Sequence, residues 1–464
     1  MTTAASRPVA ADNKQRSPWW VIVGAGIAGM CAPGPVSLGT LGLFMLPMTD
    51  ELGWTRTQVS ASFTVAAVGM AIGLVVVGRL LDRFAVRWIV IPGFIGYTTV
   101  FALIGTVGSD SLPVYYTLHF MIGLLGSSTS IPFSKALVSW FDNKRGMAIG
   151  VMTGFWGLGS SIMPLIAGSF IALFGWRGAY AALAVLSMII ATSAVSVLVR
   201  VRAERSVRGR LVKEVTDARS ESVVSLEVPG LTFRQALHSR HFWMITLGLG
   251  AAGLTITGIQ VNLVPMMVDR GLEPAQAALL LTILGLSGLI GRLAGGFIID
   301  RLPGRIIGAV VVLIPIAGLL FLQPPLGVVA AAVALIGLAL GIENDLVIFF
   351  ITRYLGTREY GRIVGVIQAA FLVISAFGPV VFSAAYDASG SYNTIIPVFI
   401  ATLAVAAIVI LLLGEYRYPA VHGFDRLAAK DELAAAEILS EQAAGEEHDT
   451  MPAKASPATG GVQR

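Results

Sequence analysis

Twelve runs of mostly apolar residues follow one another along the chain, at 19–48, 57–78, 88–107, 113–138, 146–172, 178–199, 241–267, 275–299, 306–322, 326–350, 362–386 and 393–414. A hydrocarbon core about 30 Å thick takes roughly 20 residues of helix at 1.5 Å each, so all but the short ninth run are long enough to cross a bilayer. The pattern predicts an all-α membrane protein with twelve transmembrane helices. The first run holds no charge from Ser17 to Thr49 and is not followed by a small-residue cleavage site. It is too long for a signal peptide and is expected to be a retained span.

Composition supports this picture. Of the 464 residues, 55% are hydrophobic and 13% charged, whereas soluble domains average about 25% charged. Too few polar residues remain to cover a water-facing surface, which excludes an ordinary soluble enzyme and a disordered chain. The single cysteine, Cys31, excludes a disulfide scaffold and a cysteine metal cluster. No metal or cofactor is expected.

The net charge of +5 suggests nucleic-acid binding only until the basic residues are located. The stretch 200–240 is rich in Arg, Glu and Ser and reads as a solvated linker between six spans and six. The expected organisation is a tail 1–18, a six-helix bundle 19–199, the central loop 200–240, a second bundle 241–414 and a tail 415–464. With the N-terminus inside, the cytoplasmic segments hold 27 Lys and Arg, and the opposite face holds 3: Arg56, Arg177 and Arg270. This asymmetry places both termini in the cytoplasm and accounts for the charge by topology. The expected partners are therefore the lipid bilayer and a small solute rather than nucleic acid. A monomer in the cytoplasmic membrane is expected.

The halves are repeats at an offset of 218. Pro47 and Met48 map to Pro265 and Met266, Glu51 to Asp269, Gly53 to Gly271, Gln58 to Gln276 and Gly73 to Gly291. Gly78, Asp82, Arg83 and Arg87 map to Gly296, Asp300, Arg301 and Arg305. A second echo at 215 links Gly146, Gly150 and Val151 to Gly361, Gly365 and Val366. Parallel halves predict two pseudo-symmetric six-helix bundles with a site at mid-membrane between them.

The segment from Gly78 to Arg87, with Asp82 and Arg83, resembles the loop signature of the major facilitator superfamily, G-x-x-x-D-R-x-G-R-R/K. It departs at Ala85 and Val86, and the second copy, Gly296 to Arg305, shifts its Gly304-Arg305 register. The resemblance implies the major facilitator fold, alternating access, and a loop that latches one conformation. Gly78 is expected to let two helices approach closely, and Asp82 to pair with a cation. Trp140-Phe141 with Lys144-Arg145, the run from Gly285 to Gly296, and Glu343-Asn344-Asp345 with Gly378-Pro379 resemble the bacterial monocarboxylate porter and oxalate/formate antiporter branches.

Ionisable groups inside spans are costly, about 2.5–3.5 kcal/mol on insertion scales, and each needs a reason. Arg292 lies eight residues before Asp300, and its repeat position is Leu74, so the shared fold does not demand a cation there. Its guanidinium offers a fork to a carboxylate. The branch resemblance implies substrate-anion binding at this position; the alternative is a structural pair with Glu343 or Asp345. Those two acids are two residues apart, about 200° around a helix, so one readily faces a central cavity. Either is a candidate proton-coupling group. Animal members of the branch have an Asp four residues before the Arg; Gly288 stands here instead, so any coupling carboxylate has to come from the tenth span. Lys135 is expected to snorkel to the interface. Gln260, Asn262 and Gln368 either line the cavity or bond between helices, and Trp156 lines the path or packs. In the fifth span, Gly150, Gly154, Gly157, Gly159, Pro164 and Gly168 partly match the superfamily's antiporter signature, leaving symport and exchange both open.

One motif points elsewhere. Gly24, Gly26 and Gly29 fit G-x-G-x-x-G, with Asp50 and Glu51 about 20 residues on, the pattern of a dinucleotide-binding enzyme. The apolar run continues to Met48, no βαβ alternation follows, and Pro33 and Pro35 interrupt the required helix. The expected function is secondary active transport of a small organic anion, a mono- or dicarboxylate, by proton symport or anion exchange; the alternative cargo is a drug-like or vitamin-like metabolite.

Overall fold

A computed structural model describes residues 19–81, 83–129, 131–138, 145–198, 230–299 and 303–418. Among them the fold is helical, with one isolated bridge between Gly230 and Gly356. Nine helical stretches are long and apolar enough to cross a membrane. Three further crossings account for the expected twelve. The helix Arg145–Leu198 is broken at Gly175, whose φ of 66° and ψ of 172° are not helical; it supplies spans 5 and 6. Leu112–Gly126 continues through a short 3-10 turn to Ile131–Val138 as span 4. Gly304–Leu320, at 17 residues, is span 9. The others are span 1 (Trp19–Leu52), span 2 (Arg56–Leu81), span 3 (Val86–Thr106), span 7 (Arg240–Asp269), span 8 (Pro274–Ile299), span 10 (Leu326–Leu355), span 11 (Tyr360–Ser389) and span 12 (Tyr392–Leu411).

The interruptions have chemical causes. Span 1 changes to a π-helical turn at Gly34–Leu38, directly after Pro33 and including Pro35. Span 11 breaks between Ala376 and Gly378, ahead of Pro379. Proline has no N–H, so the Ser375 carbonyl loses its helical donor. Thr257 Oγ1 of span 7 lies 2.5 Å from that carbonyl, and Thr64 Oγ1 of span 2 donates to the next, Ala376, at 2.6 Å. Pro164 of span 5 stands 215 positions before Pro379, so the proline is repeated, but the helix runs on through Pro164 without a break.

The repeat is also visible in the packing. A Cβ on Gly73 would meet Ser127 and the Leu124 carbonyl of span 4; one on Gly291 would meet the Leu338 carbonyl of span 10. These glycines bring spans 2 and 8 against corresponding neighbours. Gly78 does not: no described atom lies within 4 Å of a Cβ built there. The close approach expected at Gly78 is made one helical turn earlier, at Gly73.

Residues up to Glu415 pack as one compact unit. Of a second unit, residues 416–418 are described; there the Arg417 guanidinium lies 5.9 Å from the Tyr418 ring centre.

Candidate functional site

Seven spans meet around a cavity of about 330 Å³ at the middle of the bundle. Span 1 contributes its π-helical turn through Gly34, Pro35 and Leu38; span 2 contributes Phe63; span 5 contributes Thr153, Trp156, Gly157 and Ser160. The opposing wall is Gly253, Thr257 and Gln260 of span 7, Gly285, Gly288, Leu289 and Arg292 of span 8, Leu340, Gly341 and Glu343 of span 10, and Phe371, Leu372 and Ser375 of span 11.

Arg292 is half-buried in this wall. Its guanidinium makes one long hydrogen bond, 3.4 Å, to the Thr153 carbonyl across the cavity. Among the described residues no carboxylate stands within ion-pair distance of it; Asp345 is near enough to interact electrostatically but is not part of the lining. Glu343 does line the cavity, is 3% exposed, and its Oε1 has no hydrogen-bond partner. Ser375 Oγ and Trp156 Nε1 are likewise buried and unpartnered. The acids thus divide by helix face, as their two-residue spacing predicts.

The other expected site residues are placed as follows. Gln260 and Trp156 line the cavity. Asn262 is outside it, fully buried; its amide donates to the carbonyls of Gly258 (3.0 Å) and Pro379 (3.2 Å), and its oxygen accepts from Ser383 (2.8 Å) and Tyr392 (3.1 Å). It ties spans 7, 11 and 12 together, the interhelical alternative. Gln368 is half-buried on span 11, outside the lining. Lys135 Nζ donates to the Leu81 carbonyl at 2.7 Å, capping the end of span 2 that leads into the first basic loop. Of the latch loops, Asp82, Asp300 and Arg301 lie outside the described residues. Arg83 and Arg305 are exposed, Arg87 is half-buried at the start of span 3, and Gly296 lies within span 8. The glycines of the dinucleotide-like motif serve packing, since a Cβ at Gly26 or Gly29 would strike Phe155 or Trp156 of span 5.

At the end of the bundle opposite the basic loops, a cluster joins the halves that sequence reasoning missed. Arg56 forks onto Asp269, with Nη1–Oδ2 at 2.5 Å and Nη2–Oδ1 at 2.9 Å, donates to Tyr392 Oη at 3.0 Å, and stacks 3.7 Å over the Tyr386 ring. The Asp387 carboxylate accepts from the backbone N–H of Arg56 (3.3 Å) and Thr57 (2.9 Å). Nearby, Glu51, the repeat partner of Asp269, accepts from Trp176 (2.5 Å) and Arg177 (2.9 Å) within its own half. The signal was available: Arg56 is one of three cations on a face that excludes them, and such a cation needs a partner.

Helices broken at midspan, a cavity enclosed by two related bundles and a bidentate clamp at one end define a multi-pass membrane carrier. The sequence profile of the Major Facilitator Superfamily matches residues 26–379, and the chain belongs to that family. It is 25% identical over 370 residues to the uncharacterised transporter YhjX of Escherichia coli, covering 78% of this chain and 86% of that one. Monocarboxylate transporter 13 of Bos taurus is 23% identical over 388 residues, covering 81% and 84%. A solved bacterial homologue of the human lysosomal transporter Spinster, inward-facing and unoccupied, shares the fold with a TM-score of 0.61 at 14% identity, covering 86% of this chain and 95% of that one. The chain is a transporter and not an enzyme.

Proposed function

We propose that the protein carries a small organic anion, a mono- or dicarboxylate, across the cytoplasmic membrane by alternating access, with both termini in the cytoplasm. The observation that carries this reading is the Arg292 guanidinium, set in the cavity wall with, among the described residues, a single long hydrogen bond and no acid in ion-pair contact. A guanidinium at that depth is costly unless an anion completes it. A relative named for monocarboxylates supports the same cargo class. Glu343, buried in the same wall, is the proton-coupling group under symport, and Asp345 tunes the field at Arg292; in an exchanger, a counter-anion takes the same guanidinium. The clamp at Arg56 and Asp269 closes the far end while the cavity loads from the cytoplasmic side.

The test is thermal unfolding of the purified protein with mono- and dicarboxylates, vitamins and drug-like amphiphiles, for wild type and Arg292→Ala. A bound ligand raises the apparent midpoint, by about 2.7 kcal/mol of stability at 100 times its Kd. Carboxylates are expected to stabilise wild type and to lose the effect in Arg292→Ala. Stabilisation that survives the substitution, or that only amphiphiles produce, rejects the anion reading.

A further inference from the structure

At the outer end of span 2, five donors of the first half converge, and all are answered by the second half. Arg56 contributes two guanidinium nitrogens and its backbone N–H; Thr57 contributes its N–H and its hydroxyl, which donates to Asp387 Oδ2 at 2.5 Å. The oxygens that accept from them belong to the Asp269 and Asp387 carboxylates, with Tyr392 Oη as a further acceptor from Arg56. Span 2 thus ends in a receptor with two carboxylates bound to it: a guanidinium fork beside the first two N–H groups of a 26-residue helix, where the helix dipole adds positive charge. The receptor does not depend on its occupants for its shape. Thr55 and Gln58 form a reciprocal capping box, Thr55 N–H to Gln58 Oε1 at 2.9 Å and Gln58 N–H to Thr55 Oγ1 at 3.2 Å, so the start of the helix is held from within the first half. Nor does the shared fold demand it. The repeat positions of Arg56 and Thr57 are Pro274 and Ala275, which offer neither guanidinium nor hydroxyl.

We propose that the outer end of span 2 is a binding site for a small carboxylate arriving from outside, which Asp269 and Asp387 occupy as tethered stand-ins while that end is closed. Alternating access separates the halves here, and every acceptor then leaves with the second half. The first half is left with a cation, two helix N–H groups and a hydroxyl facing external water, and a free carboxylate replaces the two side chains in kind. The exchange has an accessible starting point. Asp387 is exposed, whereas the Arg56 side chain is 10% exposed, so an external anion meets the N-terminus of span 2 before it meets the guanidinium. An anion that binds only once the tethered carboxylates withdraw draws the equilibrium toward the outward-open state. The site therefore makes opening responsive to the anion outside. That the arriving carboxylate is also the cargo rests on the anion reading; that the site takes a carboxylate does not.

The experiment measures binding to the full-length detergent-purified protein by calorimetry and thermal shift, with malonate as the probe and chloride at equal ionic strength as the control. All variants carry Arg292→Ala, so that the guanidinium of the central cavity does not contribute. Removing the stand-ins with Asp269→Asn and Asp387→Asn together is expected to tighten malonate binding about tenfold or more, because an occupied site lowers apparent affinity by the fraction of time it is free. Adding Arg56→Gln is expected to abolish the gain. A contact that only clamps the halves gives no gain in affinity for an anion. Should the double variant fold poorly, Asp387→Asn alone alters an exposed side chain and leaves the Arg56–Asp269 fork in place; it is expected to give a gain of about threefold. Absence of malonate binding in the Asp variants, a gain that survives Arg56→Gln, or an equal gain for chloride each overturns the proposal, the last because it reports removal of charge rather than a site. None of these results touches the anion reading, since Arg292 is absent from every variant compared.

Discussion

The two halves of this transporter share a backbone plan and differ in what they present to the cavity. The first half offers Phe63, Trp156 and hydroxyls already engaged by their own helix: Thr153 bonds the Gly150 carbonyl at 3.1 Å and Ser160 the Trp156 carbonyl at 3.1 Å. The second half offers Arg292 and Glu343, the two charge-bearing groups of the described lining, with Ser375 unpartnered beside them. The repeat position of Arg292 in the first half, Leu74, carries no charge. What the duplication preserved is geometry: Gly73 with Gly291, Pro164 with Pro379. What diverged is chemistry, placed on one side so that the other can close over it as a largely neutral lid. A cavity charged on both walls would hold two desolvated ions apart in the empty carrier, each costing several kcal/mol.

The comparison breaks first at Glu343. Glu343→Gln keeps the side chain's shape and removes its proton chemistry. With a gradient of about two pH units imposed on proteoliposomes, worth about 100-fold in accumulation, wild-type uptake of the cargo is expected to follow the gradient and the variant only to equilibrate. Counterflow, which needs no proton, is expected to persist in the variant. Gradient-driven accumulation by Glu343→Gln equal to wild type would remove the carboxyl from coupling. Asp345→Asn, altering a residue outside the lining, is expected to change accumulation less.

A smaller effect is expected where the halves are clamped. Asp269 and Glu51 are repeats of one another, yet Glu51 pairs within its half and Asp269 reaches across to Arg56. The side chains in the Arg56–Asp269 fork are 10% and 28% exposed, so the pair is shielded enough for its loss to bias the conformational equilibrium by about tenfold. Asp269→Asn should raise alkylation of a Leu46→Cys reporter, in a Cys31→Ser background, by an impermeant maleimide added outside. Leu46 lines the apolar groove between spans 1, 5, 7 and 8 on that side of the cavity. The exchanged pair, Arg56→Asp with Asp269→Arg, should return labelling toward wild type. Unchanged labelling in Asp269→Asn means that the fork does not hold the two halves closed.

Much of the fold was legible because bilayer thickness, basic-residue asymmetry and the repeat at 218 each constrain it independently. Cavity residues were legible where a charge or an indole stood in an apolar run, as with Arg292, Glu343 and Trp156. Three kinds of feature were not. Ser375 and Thr257 look like ordinary small residues until the kink at Pro379 frees the carbonyl beside them. Gly253 is one of 52 glycines, and only the packing of Ser375 against it shows why no side chain stands there. Asn262 was left open between lining the cavity and bonding between helices, because its direction depends on the rotation of span 7, which packing sets.

The smallest predicted effect separates scaffolding from switching at the span 11 kink. Thr257 and Thr64 both supply a hydroxyl to carbonyls at the break, Thr257 from the same half and Thr64 from the other. Valine is close in shape and lacks the hydroxyl, so each substitution leaves one carbonyl short of a donor. Thr257→Val removes a bond made within one rigid half. It is expected to cost about 1 kcal/mol and to lower the thermal midpoint by about 1–3 °C, with little change in Leu46→Cys labelling. Thr64→Val removes a bond made from one half to the other. Its loss is expected to register as a labelling increase of about two- to fivefold, smaller than that of Asp269→Asn because a neutral hydrogen bond contributes less than a charged fork. Identical behaviour of the two variants in both measurements would mean that the kink does not distinguish contacts within a half from contacts between halves.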